Sequence, residues 1–167
     1  MNDMPKINMN NSETGCCPKF EPEKWDEKIF EFDHMLFAKA FTKSFMYMPL
    51  NMDKVMTNSM NFIKESKAES LDKYLILSHD ISPWKCEHYF LVTKEVSGME
   101  MVELSGTFMT KVFEGNFNEI PKWMKEMDSY LKNKGVEKST IYSFYTTCPK
   151  CAKHYGKNYV VLFAQVN

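Results

Sequence analysis

The stretch that decides the fold is Val102-Glu103-Leu104-Ser105-Gly106-Thr107-Phe108-Met109-Thr110-Lys111-Val112-Phe113, then Glu114-Gly115-Asn116, then Ile120-Pro121-Lys122-Trp123-Met124. Val102–Phe113 reads as a strand, and Glu114-Gly115-Asn116 breaks it. Ile120, Trp123, Met124, Met127, Tyr130 and Leu131 then fall on one face of a helix. Asn118 is its expected N-cap, Pro121 sits in its first turn, and Gly135 ends it. Two strands follow, Thr140–Thr146 and Tyr159–Val166. The second is apolar on both faces, so it belongs in the middle of a sheet.

The same order runs upstream. Leu36–Met48 alternates as a strand and Pro49-Leu50 interrupts it. Met52, Val55, Met56, Met60 and Ile63 recur at helical spacing. Tyr74–Leu77 and Tyr89–Thr93 read as strands with a Ser-Pro loop between them. The two helices start about 68 residues apart and the two last strands about 70 apart, an offset that points to internal duplication. The expected fold is α+β: two strand-helix-strand-strand modules, a mainly antiparallel sheet, two helices and a cleft between the halves. Residues 1–15 read as a disordered tail. Residues 16–167 read as one domain, with an irregular arm over 16–34, half one over 35–95 and half two over 96–167.

Composition narrows the function. A chain of 167 residues is long enough to bury a core without disulfides. Net charge is −1, and all 21 basic residues are lysines. Without arginine there is no bidentate fork for base edges, so no nucleic-acid partner is expected. No apolar run approaches the ~20 residues that cross a bilayer, so no membrane partner is expected. An odd set of five cysteines without an apolar leader segment points to a reducing, cytoplasmic location.

From Lys94-Glu95-Val96 through Leu104-Ser105-Gly106-Thr107-Phe108, Val112-Phe113-Glu114-Gly115-Asn116-Phe117 and Trp123, the chain resembles the GyrI-like (gyrase-inhibitor-like) small-molecule-binding domain family. Tyr142 to Tyr145 and Val160–Val166 resemble its last two strands. The resemblance covers roughly Met35 to Asn167. It implies two strand-helix-strand-strand modules and an aromatic pocket with an embedded carboxylate. Members of that family sense ligands in transcription regulators, bind drugs as stand-alone proteins, or hydrolyse electrophilic cyclopropane-bearing toxins. No pair of DNA-binding helices precedes the domain here. Cys16-Cys17-Pro18 and Cys148-Pro149-Lys150-Cys151 depart from the family pattern and mark a distinct subgroup.

Glu114 lies between an aromatic strand end and an aromatic helix, where a carboxylate suits acid or base work or the neutralising of a cationic drug. In a solvated loop it would only favour the helix N-terminus. Tyr145 is the expected donor to a leaving oxygen. Trp84, Tyr89, Phe113 and Trp123 are candidate ligand-binding residues, since aromatics line many pockets. Trp123 also shares the core stripe of its helix. Ser78-His79-Asp80 carries the residue names of a triad without the geometry, because adjacent side chains of an extended segment point apart. Cys148 and Cys151, with Cys16 and Cys17, have the spacing of a structural zinc site, with ligands at about 2.3 Å; His154 is an alternative ligand, and plain thiols or a reversible disulfide are the other readings. Two functions stand side by side: an aromatic-cleft protein that binds and hydrolyses a hydrophobic electrophile, and a non-catalytic drug-sequestering protein using the same cleft. A haem-binding reading is disfavoured, because none of His34, His79, His88 or His154 falls on a helix's apolar face.

Overall fold

The computed structural model describes residues 4–7, 19–146 and 149–167. In chain order the elements are β1 (Ile29–Phe45), β2 (Met48–Pro49), α1 (Met52–Glu65), β3 (Ile76–Ser82), β4 (Lys85–Leu91), β5 (Glu100–Glu114), α2 (Ile120–Asn133), β6 (Thr140–Tyr145), α3 (Pro149–Tyr155) and β7 (Tyr159–Gln165). They divide into two compact units. One is Asp33–Ser105; the other joins the described residues up to Phe32 with Gly106–Asn167. The long strands β1 and β5 each begin in one unit and end in the other. The protein is α+β, and its sheets are mainly antiparallel.

In the Asp33–Ser105 unit the strand order is β2-β1-β4-β3. In the other it is β6-β7-β5. Setting the short β2 aside, the first strand of each module pairs with the third and the third with the second, so the connectivity repeats as the duplication requires. β7 lies between β5 and β6 and is buried from Val160 to Ala164, the position its two apolar faces demand.

Helix α1 buries Ile63 and lays Met56 and Met60 on Ala38, Phe90 and Val92. It ends beside Lys67, whose φ of 53° no helix continues through. Helix α2 buries Trp123, Met127 and Leu131 against Met109, Phe113, Val160 and Leu162. Its start differs from the expectation. Asn116, not Asn118, caps a short 3-10 turn (Phe117–Glu119) that runs into α2. Asn116 and Glu119 form a reciprocal capping box, so two orphan backbone N–H groups are satisfied at once.

The N-terminal arm also differs from the irregular segment expected. β1 begins at Ile29, with Phe30 and Phe32 buried while Ile29, Glu31 and Asp33 are exposed. That is period-two alternation, hidden in the sequence by the preceding Pro22 turn. Trp25 is 2 % exposed and packs on Phe144 and Phe163 at ring-centroid distances of 5.5 and 6.1 Å. Thr110 donates to the Trp25 carbonyl through Oγ1 at 2.5 Å, and its backbone N–H donates to Lys28 O at 2.9 Å. The arm is therefore part of its unit's core.

Candidate functional site

Strand β4 carries Lys85, Glu87, Tyr89 and Leu91 on one face and Cys86, His88 and Phe90 on the other, because strand side chains alternate. Register places Lys39 opposite Tyr89 and Phe41 opposite Glu87 on β1. It places Leu77 opposite Tyr89 and His79 opposite Glu87 on β3. Lys39, Phe41, His79, Glu87 and Tyr89 thus share the face of this unit's sheet that turns away from α1.

Glu87 is the centre of that group. Its Oε1 meets Lys39 Nζ at 3.0 Å, and the two side chains are only 14 % and 15 % exposed. Tyr89 donates its phenolic O–H to Glu87 Oε2. Lys39 Nζ also lies 5.0 Å from the Phe41 ring and 5.5 Å from the Tyr89 ring. Phe37 meets Tyr89 edge-on at 6.4 Å. Burial opposes ionisation of Glu87, but the Tyr89 and Lys39 hydrogen bonds and the Lys39 charge outweigh it. The carboxyl is held below the usual carboxylate range, so it is an anion inside an aromatic surround.

On the opposite face of the same strand, His88 and Cys86 are both neutral. His88 is fully buried, with Thr42 Oγ1 at 2.8 Å from Nε2 and Ser78 Oγ at 2.8 Å from Nδ1. Burial pushes its pKa down to about 4, so the ring is neutral and donates through one nitrogen while accepting at the other. Burial, and then the Asp80 charge, push the Cys86 thiol up to about 12, which removes it as a nucleophile. Ser78 turns to His88 while the neighbouring His79 pairs in register with Glu87 on the other face, so Ser78-His79-Asp80 forms no triad.

The residues expected from sequence are distributed otherwise. Phe113 and Trp123 stack at 5.6 Å with an interplanar angle of 18°, both buried in the α2 core. Tyr145 is half-buried, edge-on to Phe117 at 5.6 Å. Phe113 and Tyr145 both sit opposite Val160 on β7, hence on the α2 face of the sheet. Glu114 is the next residue along β5, on the other face, and its side chain is exposed. The structure therefore does not bring Glu114 and Tyr145 together. Trp84 is exposed in the β3–β4 turn, and Tyr89 is buried against Glu87. Of the cysteine set, Cys16, Cys17 and Cys148 lie outside the described residues, while Cys151 is buried in α3. Among the described residues no three His, Cys, Asp or Glu side chains are grouped to hold a metal ion.

Sequence reasoning missed Glu87 and Lys39. The expected strand began at Tyr89, which left Glu87 in a loop. The available signal was Lys39 alone, inside the otherwise apolar Leu36–Phe41, since such a residue is almost never buried unless paired; Glu87 lies among Lys85, Cys86 and His88 and carried none.

A concavity of ≈ 420 Å³ lies on the other unit, lined by Lys111, Lys122, Lys125, Glu126 and Tyr130 among others. Lys111 is bound to Glu27 at 3.2 Å and lies 5.2 Å from the Tyr130 ring. Burial, then the Glu27 charge, raise the Tyr130 hydroxyl pKa. With its inner lysine already paired, the groove is a solvated lysine face.

A solved structure of SAV2435 bound to tetraphenylphosphonium is similar to this chain with a TM-score of 0.48 and 12 % identity. The match covers 85 % of this chain and 94 % of that one. No curated protein matches the sequence. No helix among the described residues is long and apolar enough to cross a membrane. A family model described as bacterial hydrolase matches residues 7–166, nearly the whole chain, and the chain belongs to that family.

Proposed function

We propose that this protein takes a small, uncharged, hydrophobic electrophile at the Glu87 group and hydrolyses it. The observation that carries the reading is a carboxylate, 14 % exposed, kept ionised among Phe37, Phe41 and Tyr89. Membership of a family described as bacterial hydrolases supports it. Lys39 already neutralises Glu87 at 3.0 Å, so an incoming cation meets a dipole rather than a free negative charge. An anion meets the carboxylate. An uncharged ligand with an aromatic or aliphatic body fits best.

In this reading Glu87 takes a proton from water, and the hydroxide attacks the electrophilic carbon. The bond from that carbon to its leaving oxygen breaks. Tyr89 or Lys39 donates a hydrogen bond to that oxygen, which receives the proton held by Glu87. A carboxylate held below its usual range is a weak base, so the substrate must be activated, such as an aryl ester or a strained ring.

The test is multiple-turnover hydrolysis over a panel of aryl esters and epoxides, with Glu87→Gln and Glu114→Gln compared in parallel. The expected result is product beyond one equivalent, lowered about 10²–10⁴-fold by Glu87→Gln and little changed by Glu114→Gln. Loss in Glu114→Gln alone would move the base to Glu114. Saturation at one equivalent without product would favour the sequestering function and remove the hydrolytic one.

A further inference from the structure

The Asp33–Ser105 unit ends in a tip made of two turns, and nearly every side chain on it is apolar and exposed. In the first turn Phe45 pairs with Met48, leaving Met46 and Tyr47 as a two-residue loop. Both have positive φ, 49° and 70°. This is the turn geometry for which Asn-Gly is favoured, and two large side chains occupy it at a conformational cost. In the second turn Ser82 pairs with Lys85 around Pro83-Trp84. Backbone bonds tie the turns together: Ser44 N–H donates to Trp84 O at 2.8 Å and Tyr47 N–H to Pro83 O at 2.9 Å. Phe45 and Trp84 are in contact at 5.5 Å.

Phe45 is 59 % exposed, Met48 69 %, Leu50 68 % and Trp84 53 %, with Met46 and Tyr47 similar. Ile81 joins them, because a register shift between Asp80 and Ser82 leaves it as the extra residue of a bulge, which turns its side chain outward. Seven large apolar side chains exposed on two bonded turns are unusual on a lone soluble domain and mark an interaction surface.

Its shape and charge choose the occupant. The side chains project from turns, so the surface is a protruding tip rather than a groove. Its charged residues are Lys43 and Lys85, both exposed, and no Asp or Glu occurs from Thr42 to Met52 or from Ile81 to Cys86. Of the flanking acids, Asp80 is hydrogen-bonded to Cys86 and Asp53 sits exposed in the first turn of α1. Aromatic and aliphatic side chains backed by lysines match a bilayer interface carrying anionic headgroups. We propose that this tip docks on an anionic lipid surface, with Phe45, Met46, Tyr47, Met48, Leu50 and Trp84 in the interfacial layer and Lys43 and Lys85 at headgroup level. The absence of a spanning segment led to no membrane partner being expected; a docking tip needs no such segment.

The experiment is co-sedimentation of the full chain with phosphatidylcholine vesicles, with and without phosphatidylglycerol, together with tryptophan emission. Trp25 and Trp123 are buried, so a blue shift on adding vesicles reports Trp84. The variant Met46→Asn/Tyr47→Gly installs the favoured turn pair, keeping the fold while deleting two apolar side chains. Binding that prefers phosphatidylglycerol and falls about tenfold or more in the variant, with thermal stability held or raised, supports the proposal. Three results overturn it: no sedimentation with phosphatidylglycerol vesicles, equal binding by the variant, or a self-association in sedimentation velocity that the variant dissolves. The last would make a second copy of the chain the occupant.

Discussion

His88 ties stability to pH in one direction. It is fully buried between Thr42 and Ser78, and burial lowers its pKa from 6.5 to about 4. The unfolded chain protonates this ring as pH falls below about 6.5, whereas the folded protein resists until about 4. In that window the unfolded state holds more protons, so stability is full above pH 6.5 and declines as pH falls towards 4. The drop is about 3 kcal/mol, at about 1.4 kcal/mol for each unit of depression. Carboxylates elsewhere also titrate there, so the measurement is a difference. His88→Gln keeps a donor and an acceptor for the two hydroxyls but does not titrate. Urea unfolding of both proteins at pH 7, 6, 5 and 4 should show wild type losing about 3 kcal/mol relative to His88→Gln. A difference that stays flat from pH 7 to pH 4 would refute the reasoning, because the buried ring would then have another way to hold its proton.

Other outcomes follow from single contacts. Trp25→Ala should lower unfolding stability by about 3–5 kcal/mol in urea, as a core aromatic does; a loss of a few tenths would return Trp25 to a loose arm. Gly115 has φ +148°, and a Cβ there would lie 2.1 Å from Glu119 Oε2, the oxygen that accepts the Asn116 N–H. Gly115→Ala should therefore break the capping box and cost more than about 1 kcal/mol, read from the melting temperature. For Cys16, Cys17, Cys148 and Cys151, elemental analysis of protein purified without chelator decides the zinc site. Near one equivalent, lost with stability in Cys148→Ser, is the result expected of it; no metal removes it.

What the sequence made legible was set by period and length. Met52, Val55, Met56, Met60 and Ile63 repeat over about three turns, and both helices were readable to within two residues at their ends. β7 was readable because Tyr159–Ala164 is apolar on both faces. The arm was not, since Phe30 and Phe32 alternate over too few residues to stand out after a proline turn. The face proposed to be functional was legible least. β3 and β4 run on to meet at Pro83-Trp84, because strand pairing continues through polar side chains when each has a partner across the sheet. Glu87 has Lys39 and Tyr89, His88 has Thr42 and Ser78, and Cys86 has Asp80. Partners 46 residues apart in the chain, as Thr42 and His88 are, leave no local signal. Apolar periodicity therefore marks where a strand is easy to form, and in β4 it began at Tyr89, two residues past Glu87.

β4 holds two opposite answers to burial on its two faces. Cys86 and His88 have no compensating cation or anion, and both remain neutral. Glu87 has a cation at 3.0 Å and a phenol, and it remains charged. A charged pair removed from water gains little stability over apolar residues of the same volume, because desolvation consumes most of the Coulomb attraction. If stability alone governed this face, Lys39 and Glu87 would be replaceable by two apolar side chains beside Phe37, Phe41 and Leu77. Lys39→Met/Glu87→Leu should then fold with stability close to wild type, while either single change leaves a buried charge without its partner and costs several kcal/mol. A stable double variant without activity would separate what this sheet needs in order to fold from what it needs in order to act.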